Sequence, residues 1–281
     1  MQFTRRVRQL RPTSYSGFSR STDAVDTDGR ETRSGTKTLY SVSRDDRTGI
    51  LDRMSTDDIT LLDEYTGHLP EPRTAAQFST PNALVTKISL GDMDNNAYLV
   101  ECKDSDKVLL IDAANDPTEL VRFLRGYRSM RGLVVFTTHS HADHWLALRH
   151  IVDEFGAKTM APAGDAEAID VPTDEVVSHG ESIECGRISL EVITLHGHTT
   201  EGAALVLEDG GETHIFTGDS LFPGGPGKTS TPEAFTSLMD DLESRIFARY
   251  DDGVAFHPGH GDDSTLGDER PHLGEWRDRG W

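Results

Sequence analysis

Apolar residues gather into short runs only from Ala83 onward; before that point they are scattered. Residues 12–49 are dominated by Ser, Thr, Asp, Arg and Gly without a period, a composition that buries too little apolar surface to order itself. Residues 1–54 are therefore read as a disordered N-terminal extension. Residues 55–82 carry Pro70, Pro72 and Pro81, with a short helix predicted over Asp57–Tyr65, and read as a linker or arm. Residues 83–281 are expected to form the folded domain. Within it, Ala83–Leu90, Ala97–Glu101 and Val108–Ile111 are β-rich runs between polar turns. Pro117–Gly126 suits a helix with proline in its first turn. After a strand at Leu133–Thr137, the segment Trp145–Phe155 places Leu146, Leu148, Ile151, Val152 and Phe155 at helical spacing, ending at Gly156. Further strands are predicted at Ile188–Leu195, Ala203–Leu207, His214–Phe216 and Gly253–Phe256, with a helix over Pro232–Tyr250. Strands in both halves with helices interleaved predict an α/β fold of two packed sheets with helices outside.

Charge changes this picture at the N-terminus. The chain of 281 residues has a net charge of −20, but residues 1–53 carry 11 basic and 7 acidic side chains against 17 and 41 in the rest. So acidic a body argues against nucleic acid or an anionic membrane as partner. No apolar stretch approaches the roughly 18 residues that span a bilayer. Residues 1–22 are Arg-rich and acid-free, as in organellar transit peptides, yet lack a secretory apolar core; an extension without a folded role is the favoured reading. Cys102 and Cys185 are far apart in sequence and in no metal-binding spacing. They read as small buried hydrophobes, reduced in a cytoplasmic protein. Trp276 and Trp281 suggest a C-terminal tail that docks.

The chemistry concentrates in one stretch. The run Leu133–Phe136 stops at Thr137-Thr138-His139-Ser140-His141-Ala142-Asp143-His144. Imidazole nitrogens and carboxylate oxygens are ligands that zinc and similar divalent cations take. His198, Asp219 and His260 each follow an apolar strand within four residues. If those strand ends share one edge, seven donors converge, more than one zinc takes and suited to two metals sharing a carboxylate. No Gly-x-Ser-x-Gly elbow supplies a protein nucleophile. Gly224–Thr229 imitates the end of a phosphate loop, but Phe222 stands where its first glycine belongs. His196 competes with His198 and reads as structural or supporting; His214 and His257 read as internally satisfied.

Thr138–His144 resembles the HxHxDH signature of the metallo-β-lactamase superfamily. Gly197-His198-Thr199, Thr217-Gly218-Asp219 and Pro258-Gly259-His260-Gly261 resemble its later metal motifs, in the family's order. The resemblance covers about residues 83–261 and implies an αβ/βα sandwich with the metals at one edge of the sheets. It places His139, His141 and His198 on a first metal, Asp143, His144 and His260 on a second, and Asp219 between them. Asp219, with Asp92–Tyr98 and Gly218–Gly225, is similar to the glyoxalase II-like branch. The resemblance implies a hydrolase with two divalent cations, zinc first and iron or manganese as alternatives. A hydroxide between the metals, oriented by Asp143, would attack a small-molecule thioester or related ester. Two readings of the same fold stand beside it: a persulfide dioxygenase-like protein with one iron, and a β-lactamase-like amide hydrolase.

Overall fold

The computed structural model describes residues 59–127 and 130–280; the extension read over residues 1–54 and Trp281 lie outside them. The apolar runs become strands of two mixed sheets. The larger follows chain order: β1 (Thr60–Leu61), β2 (Thr74–Ser79), β3 (Ala83–Leu90), β4 (Asn95–Cys102), β5 (Val108–Ile111), β6 (Val134–Phe136), β7 (Lys158–Pro162) and β8 (Glu175–Val177). Strands β2 to β5 form an antiparallel meander. From β5 to β8 the pairing is parallel, with α1 (Pro117–Tyr127) and α2 (Leu148–Phe155) crossing between β5, β6 and β7. The second half supplies β9 (Ser182–Cys185), β10 (Ile188–Leu195), β11 (Gly202–Asp209), β12 (Glu212–Gly218), β13 (Leu221–Phe222), β14 (Gly225–Pro226), β15 (Ala255–Pro258) and β16 (Ser264–Thr265). β13 and β14 pair only with each other; the rest form a sheet in the order β16-β15-β12-β11-β10-β9.

Three apolar layers explain why the strands read as near-continuous hydrophobic runs: both faces of each sheet are covered. Along β5, Leu109 and Ile111 point between the sheets while Val108 and Leu110 face α1 and α2. Along β11, Ala203, Leu205 and Leu207 face inward, and Ala204 and Val206 face α3 (Pro232–Asp241). α3 continues as one stretch of π-helix, Leu242–Phe247, then α4 (Leu266–Glu269) and α5 (Leu273–Arg279) complete the outer layer. Trp276 is buried there, so the tail docks as expected. Cys102 and Cys185 are free and buried between the sheets. Among the described residues no helix is long and apolar enough to cross a membrane.

Of the helix expected over Asp57–Tyr65, Asp57 and Asp58 lie outside the described residues, and over Ile59–Tyr65 no helix forms. From Ile59 the chain is extended, and Thr60 and Leu61 pair in parallel with Thr74 and Ala75. An extended chain serves both layers: Ile59 and Leu61 pack outside the sheet, whereas Leu62 and Tyr65 turn to the space between sheets. The segment read as an arm thus contributes two strands to the larger sheet.

One buried charge pair joins this segment to the end of the second sheet. Lys87, fully buried, donates to the carbonyls of Gly67 and Gly261 (2.8 and 2.7 Å) and to Asp263 Oδ1 (2.8 Å). Asp263 also accepts from His257 Nδ1 (2.7 Å) and from the Tyr65 hydroxyl. Burial opposes the charge on Asp263, yet Lys87 and His257 hold its carboxyl well below the usual range. A depressed folded-state pKa contributes stability above the unfolded value near 4 that is lost as pH falls through that value and below. Lys87→Met should therefore cost about 3–5 kcal/mol in urea unfolding at neutral pH. Asp263→Asn should flatten the acid side of the stability profile; an unchanged profile below pH 5 would contradict the assigned role.

Candidate metal centre

The directions of the strands decide where the ligands fall. β5 and β6 run parallel in one sheet; in the other, β12 and β15 are parallel, and β10 shares their direction through the antiparallel β11. Their C-terminal ends therefore meet at one edge of the sandwich. Ala203 N donates across the sheets to Thr138 O (2.9 Å), and Gly259 N to Gly218 O (2.8 Å), so the four ligand loops interlock there.

All seven predicted donors come together. His139 Nε2 lies 3.1 Å from His141 Nδ1, and these two form a triad with His198. His144 Nε2 lies 3.2 Å from His260 Nε2 in a second triad with Asp143, whose Oδ2 is 3.3 Å from His260. Asp219 stands between them: Oδ2 is 3.6 Å from His198 Nε2 and 3.4 Å from His260 Nε2, while Oδ1 is 3.3 Å from His144 Nε2.

The outward ring nitrogens fix which nitrogen faces the centre. His144 Nδ1 donates to Asp112 Oδ2 (2.8 Å), His198 Nδ1 to Lys228 O (2.7 Å) and His260 Nδ1 to Met93 O (2.9 Å). Thr138 Oγ1 donates to Asp112 Oδ2 (2.9 Å), so it accepts from His139 Nδ1 (3.0 Å). In each ring a proton held outside leaves the Nε2 lone pair directed inward. Asp112, with φ +59° just past β5, was missed by sequence reasoning; its signal was an acidic residue ending an apolar run, the habit shared by Asp219. Asn95, which lies in the Asp92–Tyr98 stretch singled out in the sequence without a role, donates to Asp143 Oδ2 (3.0 Å). His196, the rival to His198, points elsewhere and bonds Asp241 (2.6 Å). His257 and His214 form an internal buried pair at 3.0 Å.

The electrostatics suit a cation. Burial disfavours a charged His144, but Asp112 and Asp219 outweigh it and draw its pKa up to about 10. Asp143 and Asp219 do the same for His260, also to about 10. Two nitrogens 3.2 Å apart cannot both hold a proton toward each other, whereas one divalent ion satisfies both. Burial pushes His139 and His198 down, leaving them neutral and available as ligands. His198 Nε2 and Asp219 Oδ1 are buried without a hydrogen-bond partner. Glycines leave the room: a Cβ at Gly259 would lie 2.3 Å from Asp219 Oδ1, and one at Gly227 would lie 1.7 Å from Asp219 O. The donor set, the orphaned atoms and this close packing fit divalent metal ions.

A family model of the metallo-beta-lactamase superfamily matches residues 90–260, which takes in every one of these donors. The chain belongs to the metallo-beta-lactamase superfamily. Within this superfamily it is 32% identical over 154 residues to a hydroxyacylglutathione hydrolase of Ruegeria pomeroyi, covering 53% of this chain and 57% of the relative. A hydroxyacylglutathione hydrolase of Idiomarina loihiensis is 26% identical, over 56% of this chain and 62% of its own. The chain thus spans about three fifths of the length of these curated relatives. Among solved structures, a metallo-beta-lactamase from Staphylococcus aureus superposes with a TM-score of 0.60 at 21% identity, over 72% of this chain and 67% of that one. The superfamily fold, an αβ/βα sandwich, is the architecture described above.

Asp112 supports donors in both triads, through Thr138 to His139 and directly to His144. Asp112→Ala should weaken divalent-cation binding by about 10–100-fold. Calorimetric titration of the metal-free protein checks this; unchanged affinity would show that Asp112 does not orient the donors.

Proposed function

We propose that the chain is a hydrolase that holds two divalent cations, zinc in the first instance, and acts on a thioester or related ester. The observation that carries the two-metal reading is Asp219, whose oxygens lie within 3.6 Å of His198, His144 and His260 and so touch both triads. The thioester reading draws on relatives named hydroxyacylglutathione hydrolase. When bound, such cations lower the pKa of water and polarise a carbonyl oxygen.

The chain's own residues do the rest. Asp219 stays ionised: against burial, His144 and His260 hold its carboxyl far below the usual range. Asp143 is likewise held low, first by His260, so it remains an acceptor able to orient an attacking water. Phe222, with its ring 6.3 Å from that of His260, and the exposed Met93 border the donors with apolar surface against which a substrate can rest. Two buried free thiols suit a cytoplasmic setting.

A second reading rests on one triad. His139, His144 and Asp219 bring their ligand atoms within 4.8 Å of one another, the two-histidine, one-carboxylate set of non-haem iron oxygenases. Metal analysis of protein purified without chelator separates the two: near two zinc per chain supports the hydrolase, one iron the oxidoreductase. Asp219→Ala should lower metal content and thioester turnover together, by more than the roughly 10–100-fold typical of outer partners. Unchanged metal content and turnover would refute the assignment.

A further inference from the structure

The two triads differ in how they are supported. His139, His141 and His198 belong to loops after β6 and β10. His260 is stitched instead to the start of β4: Asn95 and His260 form an antiparallel bridge, flanked by Asn96 N donating to Gly259 O (2.7 Å) and Gly261 N donating to Asp94 O (3.0 Å). The Asn95 side chain, fully buried, reaches from that bridge to the other half of the same triad. Its Nδ2 donates to Asp143 Oδ2 (3.0 Å) and to the Asp143 carbonyl (3.2 Å), and lies 3.5 Å from His260 Nε2. Asn95 Oδ1 is buried without a hydrogen-bond partner, so donors alone anchor the amide. Among the described residues, the Asn95 side chain makes no hydrogen bond to His139, His141 or His198.

We infer that Asn95 is the positioning residue of the Asp143–His144–His260 position, setting cation affinity there while leaving the His139–His141–His198 position untouched. The inference rests on the two-metal reading proposed above. Its physical basis is that one residue fixes two donors from different sheets, Asp143 by its amide and His260 by its backbone register. The oxygen that Asn95 holds, Asp143 Oδ2, is the one turned toward His144 and His260, so the amide fixes the orientation of the carboxylate within the triad.

The test is titration of the metal-free full chain with zinc by calorimetry, repeated with cobalt to follow its absorption bands. Wild type should show two binding events. Asn95→Ala should keep the tighter event within twofold and weaken the other by about 10–100-fold. Asn95→Leu, which keeps the volume without the amide, should show the same split. Equal weakening of both events, no change in either, or loss of the folded state in both variants would overturn the inference. A wild type with fewer than two events would instead bring down the two-metal reading itself, before any variant is compared.

Discussion

A buried carboxylate holds this site in order. Asp112 lies just past β5, nearly inaccessible to solvent, and its two oxygens accept from Thr138 N, Thr138 Oγ1 and His144 Nδ1. Burying an ionised group is costly unless hydrogen bonds compensate, and here every compensating donor belongs to the loop that carries the ligands. The charge therefore does local work: it aims His144 directly and His139 through the threonine hydroxyl. Removing the carboxylate would leave the HxHxDH loop with its residues intact and its nitrogens unaimed.

How much of this the sequence disclosed depends on where the information lies. Strands β3, β5 and β10 were legible to the residue, because the apolar pattern starts and stops where each strand does. The candidate donors could be picked out because histidines and an aspartate crowd one strand end, and their partners repeat that placement. β2, Thr-Ala-Ala-Gln-Phe-Ser, and β7, Lys-Thr-Met-Ala-Pro, carry too little apolar weight to announce themselves; neighbouring strands complete them. The segment Asp57–Tyr65 looked helical in isolation, yet Thr60–Leu61 within it form an edge strand because two apolar layers compete for the side chains around them. Asp112 is one of 48 acidic residues, and only tertiary contact distinguishes it. The carbonyls of Met93 and Lys228, which orient His260 and His198, have no sequence signature, since any residue offers a carbonyl.

The buried pair Lys87–Asp263 belongs to the same logic on the far side of His260. Lys87 binds Gly261 O, one residue past His260, while Asn96 and Tyr98 donate to Pro258 O before it. The His260 loop is thus held at both ends by side chains of β3 and β4, strands of the opposite sheet. A cationic lysine in the core is tolerated because three acceptors surround its ammonium group.

These attachments make metal binding and sheet packing one problem. His139, His141, Asp143 and His144 come from the larger sheet; His198, Asp219 and His260 come from the smaller. Each triad takes donors from both, so neither triad assembles until the sandwich has closed over its inner layer of Val85, Val100, Phe136, Val192, Leu205 and Phe216. A cation bound at that edge favours the closed sandwich over the unfolded chain by mass action, and protons and metal compete for the same inward lone pairs. The direction of causation then runs both ways. Packing between the sheets brings the donors within reach, and the ion supplies the positive charge that would otherwise have to be carried by crowded imidazoles.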